Sequence, residues 1–249
     1  MTTWLVTLYR VLVTALSIVP LLAGGACGGG ASQELGEDEI AMTSRTPMYG
    51  QPEEPRPAHF KKADDALVRG YLEEYEGDRR AASLALWNYG EGYLAEGKPN
   101  LATSRYNQSW LIDSTNYQPY WGFGRALIRR GDLNGAIKHL ETARRLNGDS
   151  PNVALLTTLG TAYSLKAASL PAQEAEAKAR YFAAADRQFE ECLRLDPEYG
   201  NGWRLWAEAM SREKKYTEAW RKVATARRFG VEPSDVFLVE LRAALPEPE

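Results

Sequence analysis

Apolar residues recur along this chain in three different patterns. From Val11 to Ala23 they form an uncharged run interrupted only by Thr14, Ser17 and Pro20, preceded by one charged residue, Arg10, and followed by Gly24, Gly25, Ala26 and Cys27. From Gly28 to Pro57 no apolar period survives for more than a few residues. From Ala58 onward the spacing becomes helical. Phe60, Ala63, Leu67, Tyr71 and Tyr75 stand near i, i+3 and i+4, which predicts an amphipathic helix over about 58–77, closed by Gly77.

Beyond that helix the pattern repeats with a long period. Gly90, Gly124 and Gly160 are separated by 34 and 36 residues, and each directly follows a bulky residue: Tyr89, Phe123 and Leu159. In the first unit the same frame holds Leu86, Gly90, Tyr93, Ala102, Tyr106 and Ser109; in the second it holds Tyr120, Phe123, Gly124, Leu127, Ala136, Leu140 and Ala143. The third begins with Leu156, Leu159, Gly160 and Tyr163 and ends with Ala185, Phe189, Cys192 and Pro197, with 13 extra residues between its halves. A fourth has Trp203, Trp206, Ala207, Met210, Ala219, Val223 and Ala226, then Pro233 one residue late. Amphipathicity alone does not keep a register this long, so the units are read as repeats.

The order of large, small and alanine positions resembles the tetratricopeptide repeat (TPR), a helix-turn-helix unit of about 34 residues. The resemblance implies an all-α, right-handed superhelix of four units at about 83–116, 117–150, 153–199 and 200–233, within an array over 78–233. Gly90, Gly124, Gly160 and Ala207 then mark the close crossing of the two helices in each unit, with Ala102, Ala136, Ala185 and Ala219 as small partners on the second helix. The aromatic residues fill space between units, so Trp203 and Trp206 are expected in the core and Cys192 as a buried thiol. In the third unit Ser169 is expected to cap a lengthened second helix starting at Leu170 or Pro171 and running to Leu195. The longer pair is either a partner contact or a tolerated expansion. Ser234 is expected to cap a final helix over 234–245, with Val236, Leu238 or Val239, Leu241 and Leu245 available to cover the last unit.

The N-terminal pattern has the order of a secretory signal over 1–26: a positive start, an apolar run and small residues. The run of 13 residues is shorter than the roughly 20 that cross a bilayer as a helix, although counting from Trp4 lengthens it and leaves an uncleaved anchor as an alternative. Cys27 after small residues resembles the lipobox of bacterial lipoproteins, which implies lipidation at Cys27; Gly24 stands where that family has Leu, Val or Ile. Gly28, unlike an aspartate there, points in this resemblance to the outer membrane, and a free periplasmic protein is the alternative. Residues 27–57 are rich in Gly, Pro and Glu and read as a disordered tether.

Composition narrows the functional classes. The formal net charge is -3 from 30 basic and 33 acidic residues mixed along the chain, so no basic stripe suits nucleic acid. His59 is read as an exposed first-turn residue and His139 as a solvated or interface residue; with two cysteines far apart, neither fits a metal site or a nucleophile pair. No GxSxG, P-loop, HExxH or paired-cysteine motif occurs. No catalytic residue, metal or cofactor is expected.

In the family resembled, function lies on the concave face lined by the first helix of each unit. The groove positions here are Leu84, Trp87 and Glu91; Gln118, Trp121 and Arg125; Ala154, Thr157 and Thr161; and Asn201, Arg204 and Glu208. Two Trp, two Arg and two Glu suit a peptide or an extended protein segment. The Lys and Asn clamp with which some members hold a terminal carboxylate is absent: Trp87 and Glu91 stand where it would begin. The tract from Arg105 to Leu133 also resembles a group of bacterial repeat lipoproteins, some of whose better known relatives are pilotins, outer-membrane assembly subunits or adaptors for cell-wall hydrolases. The expectation is a non-catalytic adaptor binding an envelope protein or peptide, held to the membrane through lipid on Cys27. The alternative is a self-assembling envelope scaffold.

Overall fold

Local signals in the chain set where each helix starts and stops. The computed structural model describes residues 61–148 and 152–248; the leader, Cys27, the tether, His59 and Phe60 lie outside them. Among the described residues the regular elements are α1 (Lys61–Glu74), α2 (Arg79–Ala95), α3 (Pro99–Ile112), α4 (Tyr117–Arg130) and α5 (Leu133–Asn147). Then follow α6 (Val153–Ser169), a 3-10 turn (Ala172–Glu174), α7 (Ala175–Leu195), α8 (Gly200–Arg212), α9 (Tyr216–Arg228) and α10 (Asp235–Ala244). Side chains of Asp78, Asn116, Asp132, Asn152 and Ser234 accept backbone N–H groups at the starts of α2, α4, α5, α6 and α10. They satisfy donors that a first turn leaves unpaired. α4 ends at Gly131, whose φ of 80° is left-handed and lets Asp132 N–H reach Leu127 O.

The helices pack as four successive pairs, α2 with α3, α4 with α5, α6 with α7 and α8 with α9. The first helix of each later pair also rests on both helices of the pair before it, giving an all-α repeat superhelix. The small positions explain how closely the pairs cross. A Cβ added at Gly90 would lie 2.3 Å from Tyr106 Cε1, at Gly124 2.4 Å from Leu140 Cγ and at Gly160 2.9 Å from Phe189 Cε2. Each obstructing side chain belongs to the second helix of the same unit. Ala102, Ala136, Ala185, Ala207 and Ala219 are all buried on the matching faces. A further glycine, Gly122, approaches the same Tyr106 ring from the next unit, with its added Cβ 2.6 Å from Cε1.

Polar groups also enter the core of the first unit. Ser83 Oγ donates to Ser109 O at 2.9 Å, Ser109 Oγ donates to Ser83 O at 2.7 Å, and Asn116 Nδ2 donates to Ser83 Oγ at 2.9 Å. All three side chains are buried, so the reciprocal bonds replace the water that each group loses. Cys192 is a free buried thiol, as its small-position reading implies, and burial pushes its pKa up to about 12, which leaves it unreactive. Trp206 is in the core; Trp203 is half-buried, stacks on Trp206 at 6.0 Å and donates Nε1–H to Pro197 O.

Four expectations change. Ser169 is the last residue of α6, its Oγ–H bonded to Lys166 O, and α7 starts only at Ala175. Pro171 explains this, because a residue before proline is driven to extended backbone and Leu170 has ψ 144°. Tyr89 is 61% exposed, unlike Phe123 and Leu159 at the same frame position. It belongs to the first unit, where α1 packs on Ala82, Leu86 and Ile112 and leaves that side uncovered. On α10, Phe237, Leu238 and Leu241 face the last unit, whereas Val236 and Val239 are exposed. Helical spacing makes these two sets alternatives: one helix cannot turn both inward.

The fourth change is His139, which is only 2% exposed and packs against Phe123 at 5.2 Å and Tyr120 at 6.2 Å. Its Nε2 has no hydrogen-bond partner. Burial, reinforced by the charge of Lys138, lowers its pKa to about 4 from an ordinary 6.5. The unfolded chain therefore binds this proton more tightly than the folded one. Stability present above pH 6.5 is lost as pH falls toward 4, by up to about 3 kcal/mol for this group. The expected outcome is that His139→Phe flattens the fall in unfolding free energy between pH 6.5 and 4 relative to the unmodified chain. Parallel denaturant titrations across that range check it; equal slopes would show that His139 does not titrate differently on folding.

Candidate functional site

Which face could receive a ligand follows from how the pairs stack. The first helices of successive units touch directly, α2 on α4, α4 on α6 and α6 on α8, while α3, α5, α7 and α9 make no comparable contact with one another. The side carrying the first helices is therefore the tighter, inner side of the array. Groove positions on those four helices form neighbouring rows, because residues four apart on a helix share a face.

At the first two units these rows converge on two tryptophans. Trp87 from α2 and Trp121 from α4 stack with centroids 5.8 Å apart and planes inclined by 25°. Trp121 Nε1–H reaches forward to Thr158 Oγ1 on α6 at 3.1 Å, so this ring bridges three successive units. The Arg125 guanidinium lies 5.8 Å from the Trp121 ring and forms an ion pair with Glu91. Glu91 also accepts the Tyr106 hydroxyl at 2.6 Å, which links the inner face to the ring wedged between Gly90 and Gly122. Burial, with the like charge of Arg129 one turn away, lowers the Arg125 pKa, yet a guanidinium stays protonated. Both tryptophans are half-buried and packed on the main core, so they form the floor of this face.

The third unit contributes a smaller, uncharged surface. Ala154 and Thr161 are half-buried, and Thr161 Oγ1–H bonds back to Thr157 O at 2.8 Å. Thr157 is 2% exposed and its hydroxyl bonds Ala154 O, so it packs inward and the neighbouring Thr158 occupies the inner surface. In the fourth unit Arg204 bonds Glu208 at 2.6 Å and Asn201 at 3.3 Å. Arg212, one turn beyond, bonds Glu208 and also reaches Ser164 on α6 at 3.2 Å. Leu84 and Gln118 are half-buried at the starts of their rows.

Residue spacing alone misses Tyr106, Gly122, Arg129, Thr158 and Arg212 as parts of this arrangement. Arg129 and Arg212 carry a signal that extending the rows by one turn from Arg125 and Glu208 would have found. Thr158 carries none, because only the indole of Trp121 selects it over Thr157. No group of His, Cys, Asp and Glu among the described residues could hold a metal, and no described helix is long and apolar enough to cross a membrane. A separate open cleft of about 400 Å³ lies by the long third pair, lined by Asn134, Tyr163, Lys166, Leu170, Arg180 and Tyr181, and shares no residue with the inner face.

Residues 93–159 match a family model described as a tetratricopeptide repeat. Among solved structures, one crystal structure of MamA is 18% identical with a TM-score of 0.46, covering 69% of this chain and 85% of that one. A second MamA structure is 19% identical with a TM-score of 0.44, covering 69% and 91%. PilF of Pseudomonas aeruginosa is 19% identical with a TM-score of 0.46, covering 75% and 86%. No curated protein matches the chain.

The hydroxyl of Tyr106 joins the core to the inner face, and that link is testable by its own removal. Tyr106→Phe should lower unfolding free energy by about 1–3 kcal/mol through loss of the bond to charged Glu91. Tyr106→Ala should cost about 3–5 kcal/mol by emptying the wedge. Denaturant unfolding separates the two, and a Phe variant as stable as the original chain would remove the hydroxyl's role.

Proposed function

We propose that this chain, whose helices form an all-α repeat superhelix and whose residues 93–159 match a tetratricopeptide-repeat model, a fold that suggests protein-protein interaction, is a non-catalytic adaptor of the bacterial cell envelope. It binds an extended peptide or protein segment on the inner face floored by Trp87 and Trp121. The observation that carries this reading is the aromatic pair itself: two stacked, half-buried indoles on the inner side of the first two units, tied to the third through Thr158 and flanked by Arg125 and Glu91. Such a floor offers rigid apolar area with little side-chain entropy to lose, and flanking donors and acceptors fix the orientation of a segment laid across it. The rows from Gln118 and Trp121 through Thr161 to Arg204 and Glu208 extend the same surface toward the fourth unit.

The envelope location rests on the Arg10 to Cys27 pattern and the resemblance of its end to a lipobox. In this reading lipid on Cys27 holds the chain at the outer membrane facing the periplasm, and residues 27–57 separate the array from the membrane surface. Multiple acyl chains anchor stably where one does not.

A photo-crosslinking amino acid placed at Gln118 or Asn201, on the inner face, should capture one and the same envelope protein in living cells. Placed at Arg187, an exposed residue of a second helix, it should not. Capture only from Arg187 would move the interaction to the outer helices and defeat the groove assignment. For anchoring, Cys27→Ser should shift the protein from the membrane to the soluble fraction on cell fractionation, and a variant that stays with the membrane sinks lipidation at this residue.

A further inference from the structure

From Lys61 to Glu249 the chain carries 27 basic and 27 acidic residues, so this part is formally neutral. Its inner face is not. The charged side chains in the inner rows are Glu91, Arg125 and Arg129 in the first two units and Arg204, Glu208 and Arg212 in the fourth, an excess of one positive charge at each end. Between them the third unit presents Ala154, Thr158 and Thr161, with no charge. Arg129 is exposed and, among the described residues, has no ion-pair partner. Arg125, below it, already bears the cost of lying near a second guanidinium. In the fourth unit Glu208 serves both Arg204 and Arg212, leaving part of each guanidinium fork free.

Resting on the groove reading above, we propose that the occupant is an acidic, extended protein segment with two carboxylates set apart along it. One meets Arg125 and Arg129, the other meets Arg204 and Arg212, and an apolar side chain lies on the Trp87 and Trp121 pair. The separation follows from helix packing. Two steps from α4 to α8 at 8–10 Å per helix contact make about 16–20 Å. An extended chain advances about 3.3 Å per residue, so the acidic residues stand about five or six positions apart. The inner face thus selects by distance as well as sign, and the neutral third unit makes intermediate charges unrewarded. A nucleic-acid backbone fits poorly, because it needs a continuous basic track rather than two separated arginine pairs.

The test uses the full-length chain and fluorescent twelve-residue peptides with a leucine just outside the charged pair at either end, where one of them can reach the Trp87 and Trp121 rings, measured by fluorescence anisotropy. Four versions differ only in the charge or the spacing of two positions: two glutamates six positions apart, two adjacent glutamates, two glutamines six apart and two lysines six apart. The spaced acidic peptide should bind at least tenfold tighter than the other three and weaken as salt rises. Arg129→Ala with Arg212→Ala should remove that preference, with helix content by circular dichroism unchanged. Equal binding of all four peptides overturns the acidic selectivity while leaving groove binding intact; absence of binding by any peptide overturns the proposal. Neutralising Glu37, Asp38 and Glu39 to their amides supplies one further outcome. If that change raises peptide affinity tenfold or more, the chain's own acidic segment is the occupant, and the assignment to a partner segment falls.

Discussion

The Tyr106 ring is the point through which the first half of the array is assembled. It comes from α3, lies against Gly90 of its own unit and against Gly122 of the next, and would collide with a methyl group at either place. The ring therefore sets both the crossing within the first unit and the seating of the second on it. Its hydroxyl leaves this apolar slot at the inner face and donates to Glu91, which in turn holds Arg125 beside Trp121. Packing and the proposed site are consequently one structure here. A change that loosened the wedge would also release the acid that orients the arginine, whereas an apolar ring of the same size would keep the wedge and lose only the orientation.

The fold was legible because its constraint is local and repeated. Each crossing needs a residue without a bulky side chain, opposite a large one sixteen or more positions later, and the chain states that need at Gly90, Gly124, Gly160 and Ala207. Where the structure departs from the frame, the neighbours of a residue decide its place. Tyr89 obeys the frame and is still exposed, since its place in the first unit leaves it without a preceding pair. His139 looks polar in sequence and is buried, because Tyr120 and Phe123 of the preceding helix close over it. Ser169 was a plausible cap in isolation, but the following Pro171 forces an extended residue between the helices.

The candidate site was partly legible for the same reason. Positions on the first helices could be named from the repeat frame; among them Trp87, Trp121, Arg125 and Glu91 form one connected cluster, while Arg204 and Glu208 make a separate pair on α8. What spacing could not supply was orientation within a turn. Thr157 and Thr158 are equivalent as letters, yet one hydroxyl is buried and the other meets the Trp121 indole. The partnership of Tyr106 with Glu91 was also hidden, since a periodic frame keeps core and groove positions apart and only the ring's reach joins them.

The third unit shows why an array can lengthen one pair without disturbing the inner rows. α7 is 21 residues long, but its extra turns and the preceding 3-10 turn are solvent-exposed or line the outer cleft, away from α8. The crossing of this pair is still set by Gly160 against Phe189, and α6 still touches both α4 and α8. Length on the second helix is therefore decoupled from spacing on the first. Charge follows the same division: the inner surface of this unit is small and neutral, whereas Glu174, Glu176, Lys178 and Arg180 gather on the extension, with Lys166 at the end of α6 beside it. A unit free to vary outside while holding its neighbours at fixed distance inside is what the proposed recognition by two arginine pairs, two units apart, requires.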